Sequence, residues 1–98
     1  MLTLPIKKKW FDMILNGEKE EEYREITDYY HKRFTNLFVS LDTDIKEIAF
    51  RNGYSSKSPL FVAKCTFHLG EGKKEWGAVH GKKYYKLKIQ EIIKKVNC

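Results

Sequence analysis

From Phe61 to Leu69 every second residue is apolar: Phe61, Ala63, Cys65, Phe67 and Leu69. Side chains on a strand alternate between two faces, so this run predicts a strand with one face in a core. The other face carries Val62, Lys64, Thr66 and His68. A strand of this kind needs neighbours on its edges and an apolar layer over its buried face. The run therefore dictates a sheet with a covering layer, and the rest of the chain must supply both.

Leu2 to Ile6 reads as a short first strand. Ile48 and Phe50 alternate with polar neighbours, and Arg51-Asn52-Gly53-Tyr54 follows as a turn. The last strand starts near Tyr84, with Tyr85, Leu87 and Ile89 on one face. Its pattern slips near Glu91, where Ile92 and Ile93 are adjacent, which predicts a bulge or bend. Lys19 to Ile26 is charged but compatible with a strand. Two helices supply the cover. Trp10, Phe11, Ile14 and Leu15 share one face over Lys8–Asn16, and Gly17 stands where a left-handed cap belongs. Tyr30, Phe34, Leu37 and Phe38 form a second stripe behind the N-cap candidates Thr27 and Asp28. Two early helices followed by strands predict an α+β domain over residues 1–98. About five to six strands would close a small barrel or a curled sheet.

A chain of 98 residues, 42% of them apolar, has material for one core. No apolar run approaches the ~18 residues of a membrane span, and the early lysines follow a short apolar stretch, the wrong order for a secretion signal. Cys65 and Cys98 are too few for a disulfide framework or a four-ligand zinc site. The expectation is a cytoplasmic protein with no membrane contact, no metal and no cofactor. The charge is unevenly spread. The formal net charge is +6, with residues up to Phe50 at −2 and the remainder at +8. A basic half-chain points to RNA, an anionic ligand or an acidic protein partner, against a bland alternative of solubility alone.

The densest polar cluster is Gly17-Glu18-Lys19-Glu20-Glu21-Glu22-Tyr23-Arg24. In a strand Glu22 and Arg24 point to the same side, and Lys19 stands at the entry, where a turn can swing it toward them. Arg24 suits bidentate capture of phosphate or carboxylate, and Glu22 suits a base edge or general-base work. The alternative is a solvated strand with weak surface ion pairs. A second cluster runs from Gly70 to Lys83, where Gly70, Gly72, Gly77 and Gly81 predict a mobile loop. Lys73, Lys74, Lys82 and Lys83 give charge and Trp76 offers a stacking face, the recipe for single-strand binding. Equally, Trp76 folds back on the sheet and hides its large apolar area. A third is the Arg51–Tyr54 turn, which would present Arg51 and Tyr54 on one rim. His31, His68 and His80 show no ligand spacing and read as surface residues, and Cys65 as a buried hydrophobe.

Gly17, Lys19, Glu22 and Arg24 resemble the G-x-K-x-x-E-x-R motif of ASCH domains, members of the PUA-like superfamily. The helix before the motif fits as well. The resemblance implies a small β-barrel with flanking helices and a motif-lined cleft. It implies binding of RNA or a nucleotide-like ligand by Lys19, Glu22 and Arg24. Some small members are amidohydrolases acting on acylated cytidine, and ribonuclease activity is also associated with the family. The amidohydrolases carry a threonine nucleophile three residues after the motif lysine. Here that position is Glu22, and a carboxylate does not replace an attacking alkoxide. Those enzymes also use a later glutamate, a region where this chain has Glu71 and Glu75. The expectation is a binding domain first, with a hydrolase of modified nucleosides or RNA as the alternative.

Overall fold

The computed structural model describes residues 1–98. The Phe61–Leu69 alternation lies in the middle strand of one five-stranded sheet. This strand, β4 (Leu60–Glu71), pairs antiparallel with β3 (Ile45–Arg51) on one side and β5 (Lys83–Val96) on the other. The short β1 (Thr3–Pro5) adds parallel to β3, with Leu4 opposite Phe50. β2 (Glu21–Arg24) adds antiparallel to β5, with Glu22 opposite Leu87. The order is β1-β3-β4-β5-β2, so β1 and β2 are the edges. They do not pair with each other. The sheet is a curled half-barrel with an open seam, and the expected closure is not reached.

Two helices flank it. α1 (Lys8–Leu15) buries Phe11 and Ile14, and Gly17 follows it at φ 86°, donating its N–H to the Ile14 carbonyl at 3.2 Å. That left-handed backbone is why glycine stands there. α2 (Asp28–Leu37) is capped by Thr27, whose hydroxyl accepts from the Tyr30 amide at 3.2 Å. Asp28 in its first turn suits the helix dipole. Phe34 and Phe38 from the α2 side meet Phe67 at ring separations of 5.2 and 5.1 Å. Phe11 from α1 meets Phe61 at 5.0 Å, and Phe61 stacks on Phe50 at 5.0 Å. This aromatic chain, with Leu4, Ile48 and Leu87, is the core. No helix is long and apolar enough to cross a membrane.

One expectation about the strands needs correction. Leu69 is 52% exposed rather than inward-facing. The α2 aromatics stop at Phe67 and Tyr85, and the strand runs on past that cover. Val62 and Thr66, on the opposite face, are buried as well. The slip near Glu91 is a bulge, as the pattern predicts, and there are two of them. Cys65 pairs with Ile89 but Lys64 with Glu91, leaving Gln90 over; Ala63 pairs with Ile92 but Val62 with Lys94, leaving Ile93 over. The first bulge lets the Gln90 amide reach the Thr66 hydroxyl at 2.9 Å, which covers Thr66.

Candidate functional site

The open seam holds the principal cleft, about 620 Å³. Pro5 and Ile6 at the end of β1, with Lys7, form one side; Glu22, Tyr23, Arg24 and Glu25 along β2 form the other. Trp10 of α1, Tyr30 of α2 and the Asn52–Tyr54 turn complete the walls. Arg24 ties the edges together. Its Nη2 donates to the Pro5 carbonyl across the seam at 2.6 Å and to Glu22 Oε2 at 2.9 Å, while Nη1 donates to the Tyr30 hydroxyl at 3.1 Å. A side chain replaces the backbone ladder that a closed barrel would have at this point.

Lys19, Glu22 and Arg24 do converge, but not as three ligand groups. The Lys19 side chain is 0% exposed. It donates to the carbonyls of Glu21 and, at 3.1 Å, of Trp76, and it lies 3.2 Å from Glu22 Oε1. An ammonium has three donors, and all three are taken. Tyr23 and Trp10 present ring faces to it at 4.8 and 5.4 Å. Burial lowers the Lys19 pKa, opposed by the attraction and hydrogen bond of Glu22, with burial the larger effect. Lys19 thus lies beneath the cleft and anchors its floor. Glu22, itself buried, has one oxygen on each cation. The Arg24 fork is spent on Glu22 and Pro5, so it has no parallel pair of N–H groups left for bidentate capture. The cluster of two cations and one anion leaves one positive charge under the cleft.

The remaining expected residues divide. Tyr54, 89% exposed, stands on the rim of the cleft. Arg51 ends β3 and does not line the cleft; its Nε is buried without an acceptor. The Gly70–Lys83 segment is an ordered strap rather than a mobile loop. Gly70 and Glu71 belong to β4, and Lys74–Trp76 forms a 3₁₀ turn. The Lys73 amide donates to the Tyr23 hydroxyl at 2.9 Å, the Gly81 amide to Glu71 at 3.0 Å, and Lys82 pairs with Glu25 at 2.6 Å. That hydrogen bond to Glu25 raises the Lys82 pKa. Trp76 is only 9% exposed, so it is not a stacking platform; its carbonyl serves Lys19. Lys73, Lys74 and Lys83 remain exposed.

Sequence reasoning placed Trp10 and Tyr30 on core-facing stripes, yet both are only partly buried and open onto the cleft. Their position at the stripe margins, next to polar residues, is the signal available. It also passed over His68. Nδ1 of His68 lies 2.6 Å from Asp42 Oδ1 and Nε2 lies 2.6 Å from the Thr66 hydroxyl, which accepts from Gln90. Together with the Asp42 amide, which donates to the Phe67 carbonyl at 2.8 Å, this network fastens the turn after α2 to the sheet. His31 likewise meets the Tyr85 hydroxyl at 3.0 Å. Burial pushes the Cys65 thiol up to about 12, which makes it a poor nucleophile. Comparison with protein-family models, with curated proteins and with solved structures finds no match to this chain.

Proposed function

We propose that the seam cleft binds RNA or a nucleotide-like ligand, and that the chain is a small ASCH-type, PUA-like domain. The observation that carries the reading is the make-up of the cleft. Aromatic side chains at Trp10, Tyr23, Tyr30 and Tyr54 surround a space sized for a nucleotide, above the cationic Lys19–Glu22–Arg24 cluster. Aromatic faces beside fixed positive charge are what unpaired bases and their phosphates require. The lysines of the strap and the net charge of +6 supply the field that draws a polyanion in. The hydrolase alternative has less behind it. Glu22 occupies the place of the threonine nucleophile and is held between two cations, and no histidine lines the cleft.

The test is binding of a mixed single-stranded RNA over a range of salt. Log affinity should fall linearly with log salt, with a slope near −0.7 for each phosphate neutralised. Absence of binding at low salt would refute the reading. Release of cytidine from N4-acetylcytidine by the unaltered protein, abolished in Lys19→Ala, would make the hydrolase the leading one.

A further inference from the structure

The last strand outruns its outer neighbour. β4 pairs with β5 from Lys83 to Val96, but β2 covers only Tyr85–Lys88, with one further bond from the Ile89 amide to the Glu20 carbonyl at 2.9 Å. Gln90–Val96 therefore have a strand on one side and none on the other. Gln90, Glu91, Ile93, Lys94 and Lys95 are exposed, so no helix or loop covers this edge. Past Val96 the chain turns away. Asn97 takes a left-handed φ of 58°, and its side-chain amide donates to the Lys57 carbonyl at 3.2 Å, on the β4 side. An open edge of this length is a template for another strand. None of its residues lines the seam cleft.

We infer that this edge pairs antiparallel with the same edge of a second copy of the chain. The occupant is read from Glu91-Ile92-Ile93-Lys94, a run that complements itself when reversed. About a two-fold axis between Ile92 and Ile93, Glu91 faces Lys94 of the second copy and Ile92 faces its Ile93. Residues opposite each other in an antiparallel pair share a face. Glu91 and Lys94 are three apart and would take opposite faces of a regular strand. The bulge at Ile93 removes that conflict. Glu91 stands beside Lys64 and Lys94 beside Val62, and Lys64 and Val62 lie on one face of β4. A lone bulge spoils an edge for pairing, but one that faces its own symmetry mate sets two residues against two and leaves none over. A slip of one residue puts Glu91 opposite Ile93, or opposite Lys95, which stands beside Phe61 on the other face. Within its own chain Glu91 has only Lys64, at 4.0 Å.

Sedimentation equilibrium of the full chain from about 10 μM to about 1 mM, the span of weak self-association, tests the pairing. The mean mass should climb from one chain toward two, and hydrogen exchange at the Gln90–Lys95 amides should slow over the same range. Glu91→Lys and Lys94→Glu should each weaken the dimer roughly tenfold or more, because each reversal sets like charges opposite at two symmetry-related places. An equimolar mixture of the two variants should dimerise again, since every facing charged pair is then opposite in sign. A mass of one chain throughout the range would overturn the proposal. So would a dimer that both variants leave intact, or a mixture that associates no more tightly than either variant alone. If a variant does not fold, the mass and the amide exchange of the unaltered protein decide.

Discussion

Lys19 shows how a motif residue is repurposed by burial. A lysine in a charged run reads as a solvent cation or a ligand group, but this one is enclosed and holds two backbone carbonyls and a carboxylate. Truncating it leaves Glu22 half-paired and two carbonyls empty. Lys19→Ala should therefore cost about 3–5 kcal/mol of stability, read from urea unfolding. A cost below about 1 kcal/mol, the range of an exposed pair, would place Lys19 back at the surface. Cys65 gives a pH test. Its thiol ionises at 9.0 in the unfolded reference and at about 12 when folded. Between those values the unfolded state loses the proton first, so stability falls as pH rises, by about 1.4 kcal/mol per unit. Lys19 acts in the opposite sense, because its lowered pKa means the unfolded state holds the proton longer. Comparing the parent with Cys65→Ala isolates the thiol, and the variant should show a shallower alkaline decline. The spacing of Lys19, Glu22 and Arg24 made their convergence legible in the sequence. What it could not show was depth, which depends on Trp76 arriving from far along the chain.

At the level of elements, the periodic signals transferred well and the ends did not. Both helices and the central alternation are where periodicity puts them, because a buried face leaves its period in the sequence whatever covers it. Leu69 continues the period but lies outside the cover, which no local pattern encodes. Phe67→Ala should cost about 3–5 kcal/mol and Leu69→Ala well under 1 kcal/mol. Similar losses at the two positions, measured by thermal or chemical unfolding, would contradict the exposed end of β4. The strap between β4 and β5 is the other case. Its glycines and lysines suggested mobility, yet a side chain on Gly72 would stand 2.5 Å from the Tyr23 ring. Gly72→Ala should push Tyr23 away from the Lys73 amide and speed hydrogen exchange at that amide. Unchanged protection there would show that the strap is not pinned through Tyr23.

At the scale of the whole molecule, the half-barrel is left open, and the opening is the proposed binding site. The two edge strands end on opposite sides of one cleft, and Arg24 bridges them. Charge is laid over this frame, with the strap lysines beside the cleft rather than in it. Changing Lys73, Lys74, Lys82 and Lys83 to glutamine should weaken RNA binding at low salt and flatten the salt slope by up to about 0.7 per lost contact. The central claim, that the seam is the binding site, is tested most directly by an RNA titration that follows the two indole N–H resonances. Trp10 lines the cleft and Trp76 is folded under the strap, so the protein carries its own control. The predicted result is a saturable shift of Trp10, with the amides of Asn52 to Tyr54 moving at the same midpoint and Trp76 nearly still. Shifts confined to the strap lysines, with Trp10 unmoved, would place the RNA elsewhere and contradict the account.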